Sequence, residues 1–436
     1  MKLTKLFPLW KQALFALVCV GSFFFLSYGL ANKYTASLTS VPSIAFAWEK
    51  YIPFLPWTII PYWSIDFLYC ISFFLCISKR ELFVHSARLF VASCVCCTCF
   101  VLFPLACSFV LPEVTNPLFH KMIYGSGLVA TPFNQAPSLH IALAWLVWLR
   151  FRAHSGGKFY LILSAWFVLI CVSVLTCYQH HFIDVPLGFL AGILISYLLP
   201  MESYKRILPA DKFKRAKLGS FYLLGCLLCV FIAWGFKSFF LWLFWPAISL
   251  LIVALGYFLW GTAVFQKNAQ GEMSLSARII LAPYLLGAHI SKYLFTRNLS
   301  EYVQISEKVY LGSLPSKNTI KTDGFLDLTA EFDTSKIECK NKIICPRIDL
   351  IAQTPTQIQD AVSKLTELTE SGTVLVCCAL GISRSVVIVV AYLIVQDNKL
   401  TVEGAINKII QLRPQAILDK EQILALQRWK RSHITE

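Results

Sequence analysis

Apolar residues form long runs before residue 298, whereas in the rest of the chain the apolar runs are short and separated by polar residues. Six of these runs have the length that a bilayer-crossing helix needs, about 17–25 residues. They lie near 12–31, 55–77, 89–111, 159–177, 219–236 and 239–262. Two shorter runs, 137–151 and 183–200, are interrupted by polar residues. The pattern predicts eight membrane spans.

A ninth apolar stretch, 277–295, carries Arg278, His289 and Lys292. Charges within an apolar helix favour a position in the bilayer interface, so we expect an interfacial helix and linker over 266–298. We expect the first apolar run to be retained, because no small-x-small cleavage site follows it and further spans do.

From residue 299 onward, short apolar strands alternate with amphipathic helices. The predicted strands are 309–311, 325–328, 342–345 and 373–377. The predicted helices are 354–369, 384–396, 401–412 and one after Asp419. Such alternation is typical of an α/β domain. The run 386–395 is too short to span a bilayer and is expected to be the central buried helix.

The predicted fold class is therefore a polytopic α-helical membrane bundle followed by an α/β domain. The predicted bounds are 1–265 for the bundle, 266–298 for the linker and 299–436 for the α/β domain. Composition agrees, since 57% of the residues are hydrophobic and only 14% are charged, against about 25% charged in soluble proteins. A secreted or disordered protein is excluded.

The formal net charge of +15 is distributed unevenly along the chain. Residues 298–436 hold 16 Lys+Arg and 16 Asp+Glu, whereas residues 1–297 hold 23 and 8. The excess lies in the apolar part, which argues against a nucleic-acid partner. With the N-terminus inside, the positive-inside rule puts 19 of those 23 basic residues on the inner side. The C-terminal domain is thus predicted to be cytoplasmic.

Four of the sixteen cysteines, Cys94, Cys96, Cys97 and Cys99, are spaced closely enough to suggest a metal cluster. They lie inside an apolar span on several faces of a helix, where a cysteine behaves as a small hydrophobe. We expect neither a metal nor a cofactor.

The sharpest motif in the chain is Cys378-Ala379-Leu380-Gly381-Ile382-Ser383-Arg384-Ser385, directly after a predicted strand. A strand, a short turn and a helix N-terminus make an anion cradle of backbone N–H groups. The same field stabilises a thiolate at Cys378, and Arg384 can grip two oxygens of a phosphoryl group. Asp349 lies 29 residues earlier and can supply the proton for a leaving group.

Residues from about 300 to 436 resemble a dual-specificity phosphatase of the cysteine-dependent protein tyrosine phosphatase superfamily. The resemblance implies Cys378 as nucleophile, Arg384 as phosphate clamp, Asp349 as general acid and then base, and Ser385 as an aid to thiolate departure. Cys377 stands where that family usually has His. The phosphate-binding loop would comprise Ala379, Leu380, Gly381, Ile382, Ser383 and Arg384.

The uncharged side chains of this loop favour a monophosphate substrate over a multiply phosphorylated one. Phospholipid and phosphoprotein substrates both stay open. Attachment to a membrane raises the effective concentration of lipid head groups, which favours the lipid.

A second constellation lies at the ends of spans: His140 in Pro-Ser-Leu-His, and His180 and Asp184 in a His-x-x-x-Asp sequence. His180 and Asp184 are four apart and share a helix face, so Asp184 can orient the imidazole. Ionisable residues at membrane depth indicate function, although polar residues that only hold helices together stay an alternative. For Asp66, helix pairing is an equally good interpretation.

These residues resemble the PAP2-like superfamily, in its inositolphosphotransferase-type branch. The resemblance implies His180 as the nucleophile, Asp184 as its orienting carboxylate and His140 as general acid. The phosphatase branch has a Lys-x6-Arg-Pro motif, but no Arg-Pro follows Lys121, and Val174 stands where an Arg is usual. These departures favour the transferase-like branch.

The order of the two parts resembles the bacterial two-domain membrane phosphatases of the YnbD type, which implies a bacterial inner membrane and phospholipid metabolism. We expect two phosphoryl-transfer sites on opposite faces of the bilayer. The expected partners are the lipid bilayer and a phospholipid or phosphoprotein substrate. Two alternatives stay open: a membrane-bound sensor with a weakened phosphatase fold, and a lipid head-group phosphotransferase as the main activity.

Overall fold

The computed structural model describes residues 8–124, 132–209, 211–236, 238–316 and 320–433. It divides into two compact units, Met1–Met201 and Glu202–Glu436. The first unit is helical. The second contains two apolar helices as well as the α/β domain.

The first unit is a bundle in which α1 packs on α3, α2 on α6 and α5 on α7. Its helices are α1 (Leu9–Ala36), α2 (Ile59–Phe74), α3 (Lys79–Leu102), α4 (Pro117–Tyr124), α5 (Leu139–Ala153), α6 (Gly157–Thr176) and α7 (Asp184–Leu198). Cys96 and Cys97 are buried in α3, whereas Cys94 and Cys99 are partly exposed.

The second unit begins with two apolar helices that pack against each other, α8 (Lys212–Phe236) and α9 (Phe244–Leu255). A single π turn, Gly256–Trp260, and a 3-10 turn, Gly261–Phe265, continue α9. We call residues 212–265 the apolar hairpin. Two helices follow it, α10 (Leu275–Ile280) and α11 (Ala282–Thr296), the second in the stretch predicted as an interfacial helix.

Helices occupy all eight predicted spans, but within the described residues only five are long and apolar enough to cross a membrane. They are Leu9–Ala36, Lys79–Leu102, Gly157–Thr176, Lys212–Phe236 and Phe240–Phe265. The three others, α2, α5 and α7, have 16, 15 and 15 residues. They fall short of the roughly 17–25 residues that a span needs.

One predicted boundary is wrong by ten residues. The run predicted at 89–111 overlaps α3, which ends at Leu102 and begins at Lys79, where the Ser78 hydroxyl caps it by accepting the backbone N–H of Glu81 at 3.2 Å. The charged residues of the first turns hid this start, since an apolar count ignores a helix N-cap.

The α/β domain is a five-stranded sheet in the order β1-β2-β5-β3-β4. Its strands are β1 (Tyr302–Gln304), β2 (Val309–Ser313), β3 (Gly324–Thr329), β4 (Asn341–Arg347) and β5 (Val374–Cys378). All neighbours are parallel except β1 and β2. The helices are α12 (Pro355–Glu370), α13 (Arg384–Gln396), α14 (Val402–Leu412) and α15 (Lys420–His433). Each predicted strand and helix of this domain is present, and β1 is additional.

The core of the domain surrounds α13, whose residues 384–394 are all buried. This helix packs on β5 and β2 and on the helices α12, α14 and α15. The prediction of a central buried helix is therefore confirmed. Because β5 is the middle strand, its carboxyl end and the start of α13 lie at the centre of one edge of the sheet.

A buried ion pair joins the sheet to the segment after the apolar hairpin. The Lys267 ammonium lies 2.5 Å from an Asp327 carboxylate oxygen, and the two side chains are 1% and 0% exposed. Lys267 also donates to the Thr329 carbonyl and hydroxyl at 2.9 and 3.0 Å. The carboxylate accepts further bonds from Thr329 and Thr334, so every charged atom of this pair has partners.

Candidate active site

The loop between β5 and α13 has a conformation that the sequence dictates through one glycine. Gly381 has φ +69°, a left-handed value that only glycine adopts without strain. A Cβ there would meet the Gly312 carbonyl carbon of β2 at 2.2 Å. The close approach bends the loop back over the sheet edge, as an anion cradle requires.

Three long-range contacts hold this loop from outside. The buried Arg413 guanidinium donates to the carbonyls of Leu380 and Ser300 at 3.4 and 3.2 Å. The Gln422 amide donates to the Ser383 hydroxyl at 2.8 Å. The backbone N–H of Ile417 donates to the Ile382 carbonyl at 2.7 Å. The carbonyls of the loop thus point outward to partners.

Cys378 ends β5 and is 3% exposed, so its thiol lies within the loop. The Ser385 hydroxyl is 3.2 Å from its sulfur, within the range of a hydrogen bond to a thiolate. Both residues lie at the N-terminal end of α13, where the helix dipole favours negative charge. The structure therefore brings together the predicted nucleophile and the predicted aid to its departure.

Arg384 is the most heavily engaged residue of the site. Its Nη1 and Nη2 donate to the two carboxylate oxygens of Glu331 at 3.0 and 2.6 Å. Nη1 also donates to the Arg347 carbonyl at 2.9 Å. Burial alone would lower the pKa of Arg384, but the carboxylates of Asp349 and Glu331 raise it well above its usual value. The group stays a cation.

The Nε edge of Arg384 is held differently. Nε lies 3.1 Å from a carboxylate oxygen of Asp349, yet among the described residues it makes no hydrogen bond of acceptable geometry. Because Glu331 occupies the opposite edge, the Nε and Nη2 edge, beside the Asp349 carboxyl, is the one that can bind two oxygens of a phosphoryl group.

Sequence reasoning missed Glu331. It follows β3, the strand next to β5, by two residues. Acidic and polar residues beyond the carboxyl ends of parallel strands commonly line sites, and that rule could have found it.

Asp349 follows β4, and its carboxyl lies beside the Arg384 guanidinium. Its side chain is 38% exposed, but neighbouring groups crowd the carboxyl, and burial is the main cause that raises its pKa. Arg384 opposes this shift and Glu331 adds to it. A raised pKa keeps the carboxyl protonated to higher pH, which suits a proton donor.

We expect the pH dependence of kcat/KM to have an alkaline limb set by Asp349. The rate falls as the pH rises through the raised pKa, because the donor is then deprotonated. Asp349→Asn should remove that limb and lower kcat by roughly 10²–10⁴-fold. Phosphate release by the full chain across pH measures both effects. The exposed Asp397→Asn should leave the profile unchanged; an unchanged alkaline limb in Asp349→Asn would contradict the assignment.

Cys377 occupies the position before the nucleophile and is fully buried in the sheet. It pairs in register with Asp327 of β3 and Gly312 of β2. Burial, and then the Asp327 charge, raise the pKa of this thiol well above its usual value. Cys377 is therefore a neutral thiol behind the loop, beside the Lys267–Asp327 pair.

The second predicted site lies in the first unit. His140, at the start of α5, and His180, before α7, line one cavity of about 150 Å³. Nδ1 of His180 is 3.2 Å from an Asp184 carboxylate oxygen, as the i, i+4 spacing predicts. His140 stacks on Tyr62 with ring centres 4.2 Å apart. The three predicted residues are thus brought together.

Asp66 lines the same cavity as His140 and His180. The Val174 carbonyl accepts the backbone N–H groups of Gln179 and His180 at 3.0 and 3.1 Å. Val174 stands where the PAP2-like phosphatase branch usually has Arg, and its backbone carbonyl holds the turn that carries His180.

Glu49 is a buried carboxylate that sequence reasoning missed. It lies 2.8 Å from Nδ1 of His181 and accepts the backbone N–H of Phe182 at 3.1 Å. Nε2 of His181 accepts from the backbone N–H of Ser108 at 3.0 Å. This network fixes the segment that carries His180, and nothing in the local pattern around Glu49 signals it.

Comparison with known proteins locates a family within the second unit. Residues 307–432 match the dual specificity phosphatase catalytic domain. No curated protein matches the chain.

Among solved structures, Tk-PTP in its active form is similar at 20% identity, with 30% of this chain and 97% of that chain covered and a TM-score of 0.27. PTPMT1 in complex with PI(5)P is similar at 22% identity, with 30% and 96% covered and a TM-score of 0.26. Human DUSP28 is similar at 16% identity, with 30% and 96% covered and a TM-score of 0.27.

The family match spans β2 to α15 and includes Asp349, Cys378, Arg384 and Ser385, the residues that the structure gathers at one edge of the sheet. Residues 307–432 are a dual-specificity phosphatase catalytic domain, and the protein is a phosphatase that hydrolyses phosphomonoesters.

Proposed function

We propose that this protein is a membrane enzyme that hydrolyses phosphomonoesters of a lipid head group or a phosphoprotein through a phospho-cysteine intermediate at Cys378. The observation that carries the proposal is the convergence of Cys378, Asp349 and Arg384, with Arg384 bound to Glu331 on one edge and lying beside Asp349 on the other. The five helices long and apolar enough to cross a membrane support the location.

In the first step, the Cys378 thiolate attacks phosphorus while Arg384 binds two non-bridging oxygens. The bond from phosphorus to the leaving oxygen breaks, and the Asp349 carboxyl gives that oxygen its proton. The products of this step are the dephosphorylated alcohol, a phospho-cysteine and an Asp349 carboxylate.

In the second step, the Asp349 carboxylate takes a proton from water as the water oxygen attacks the phospho-cysteine. The sulfur–phosphorus bond breaks, inorganic phosphate leaves, and the Ser385 hydroxyl, 3.2 Å from the sulfur, stabilises the departing thiolate. The enzyme returns to its starting protonation state.

The loop side chains support a monophosphate substrate. Ala379, Leu380 and Ile382 carry no charge, so the cation at the site comes from Arg384. Further phosphates on the same molecule would gain little there.

We place the phosphatase domain on the cytoplasmic face of a bacterial inner membrane, on the strength of the positive-inside count. We place a second phosphoryl-transfer site on the outer face, with His180 as nucleophile, Asp184 as its orienting carboxylate and His140 as acid. The shared cavity and the 3.2 Å contact between His180 and Asp184 support it. Its reaction would be transfer or hydrolysis of a phosphorylated head group.

Lipid analysis of cells that carry single variants tests this function. We expect Cys378→Ser to accumulate one phosphorylated species and His180→Ala to accumulate one head-group donor or substrate, because each change removes a nucleophile. The exposed His120→Ala is the matched control and should leave lipids unchanged. Unchanged lipids and phosphoproteins in Cys378→Ser would contradict the cytoplasmic activity, and unchanged lipids in His180→Ala the second.

A further inference from the structure

One side of the phosphatase site is built by residues outside the 307–432 family match. The Tyr257 hydroxyl, in the π turn of the apolar hairpin, donates to the backbone carbonyl of Asp349 at 3.3 Å. The electrostatic contacts of Tyr257 include the charges of Asp349, Glu331 and Arg384. The hairpin therefore reaches the loop that carries the proton donor.

Tyr257 belongs to a cluster of three tyrosines. Tyr222 of α8 stacks on Tyr257 with ring centres 5.4 Å apart and planes 16° apart. Tyr284 of α11 meets Tyr222 edge to face at 5.9 Å, and its hydroxyl interacts with the charges of Glu331 and Asp349. We call Tyr222, Tyr257 and Tyr284 the tyrosine wall.

The position of Tyr257 is fixed by specific contacts. The Arg215 guanidinium donates to the carbonyls of Tyr257 and Phe258, both at 3.0 Å, and so satisfies the end of the π turn. Gly261, with φ +60°, approaches the Ile207 carbonyl so closely that a Cβ would lie 2.2 Å from its oxygen. Such π turns recur at functional sites because they re-aim a side chain.

The position of the tyrosine wall along the apolar hairpin indicates which class of substrate can reach it. The first turns of α8 are basic, with Lys212, Lys214, Arg215 and Lys217, and the helix is apolar from Leu218 on. Tyr222 lies four residues further, about 6 Å along the axis. A tyrosine at that depth is expected in the layer of lipid head groups, beside Lys212 and Lys217, which are exposed and can attract anionic lipid.

Helix α11 continues the apolar surface beside the site. Its inner side packs on the phosphatase core through Ala288, and His289 contacts the ring of Phe332, next to Glu331, at 4.8 Å. Leu286, Ile290 and Leu294 are exposed at a spacing that puts them on one helix face. The site is thus bordered by apolar surface that suits a bilayer.

Resting on the function proposed above, we propose that the tyrosine wall determines substrate choice. Tyr257 is a positioning residue that holds the Asp349 loop, and the wall admits a phosphate presented at head-group depth by a lipid whose chains stay in the bilayer. The lipid is favoured over a phosphopeptide because the hairpin and α11 border the site with apolar, head-group-level surface.

The test uses the full chain in vesicles and three substrates, with His180→Ala in every variant and in the chain called wild type below, so that the site proposed for the first unit contributes no turnover. They are phosphatidic acid in phosphatidylcholine vesicles, a phosphotyrosyl peptide and an aryl phosphate. We expect the wild type to have a kcat/KM for the lipid at least roughly tenfold above that for the peptide. Tyr257→Phe should lower kcat on the lipid about five- to tenfold, the loss of one hydrogen bond.

A pH profile separates positioning from a general loss of fold. Without the Tyr257 hydroxyl the Asp349 loop opens to water, so the pKa of Asp349, raised by burial, falls and the alkaline limb moves to lower pH. Tyr310→Phe, which alters a tyrosine packed on Tyr302 in the sheet, is the matched control and should leave rate and limb unchanged. Tyr284→Ala should reduce the preference for lipid over peptide.

Three results would overturn the inference. Equal kcat/KM values for the lipid and the peptide would show that the enzyme does not prefer a lipid substrate. A higher kcat/KM for the peptide would indicate a phosphoprotein substrate. An unmoved alkaline limb in Tyr257→Phe removes the positioning role. If the wild type hydrolyses the aryl phosphate and Cys378→Ser does not, the proposed function stands even when one of these three results overturns the inference. If the wild type hydrolyses none of the three substrates, both the inference and the proposed function are contradicted.

Discussion

Phosphate release from an aryl phosphate is expected to fall roughly 10³-fold or more when Cys378 is replaced by Ser. The serine hydroxyl has nearly the shape of the thiol and fits the same buried position in the loop. It is not ionised at neutral pH, however, so the field of the α13 N-terminus has no anion to stabilise. Release of inorganic phosphate by the full chain in detergent measures the loss.

The measurement is made in a His180→Ala background, so that the site proposed for the first unit does not contribute turnover. Cys339→Ser, a change at a half-exposed thiol that contacts backbone carbonyls near β3 and β4, is the matched control and should retain the rate. Turnover that survives Cys378→Ser in this background would show that the nucleophile lies elsewhere.

Arg384→Lys is expected to lower kcat/KM by roughly 10²–10³-fold, the usual cost of losing donors to a developing oxyanion. Lysine keeps the positive charge, but an ammonium cannot bond both oxygens of Glu331 and two phosphoryl oxygens at once. Glu331, which is 4% exposed, would then lose part of its pairing. The kinetic constants for an aryl phosphate over a range of concentrations measure the effect.

Arg428→Lys on α15 is a conservative change at an exposed arginine, and it should leave kcat/KM as in the wild type. Glu331→Gln sharpens the assignment, because it keeps the shape of the pair and weakens only its charge. If Arg384→Lys retains full activity, the guanidinium does not bind the phosphoryl group.

The elements of the phosphatase domain were predictable because their signals are local. The strand over 374–378 is an apolar run, and Thr354 and Gln357 form a capping box at the start of α12, with Pro355 at its first position. Cys378, Arg384 and Ser385 lie within eight residues of one another, so one loop already contains most of the site. Short strand β1 was missed, since three residues give no period.

The residues that complete the site were not predictable, because their contacts link distant parts of the chain. Glu331 is 53 residues from Arg384, and Tyr257 is 92 residues from Asp349. Lys267, one of the 19 basic residues that the positive-inside rule puts on the inner side, lies buried against Asp327. The roles of these residues become visible only from their contacts in the folded chain.

In the first unit, helix positions followed from apolar runs, but helix lengths did not. Glu81 and His85 belong to the first turns of α3, which the apolar run predicted at 89–111 left out because it began too late. The pairing of His180 with Asp184 was predictable from their spacing, whereas the contact of Glu49 with His181 spans 132 residues.

The stability of the phosphatase domain also depends on Lys267. The ribosome makes it before any strand of the sheet, and a chain cut between Lys267 and β1 would bury Asp327 without its counter-charge. An unpaired buried charge costs about 3–5 kcal/mol, a large part of the roughly 5–15 kcal/mol that a domain has. A phosphatase domain that lacks Lys267 is therefore expected to be less stable than the same domain in the full chain.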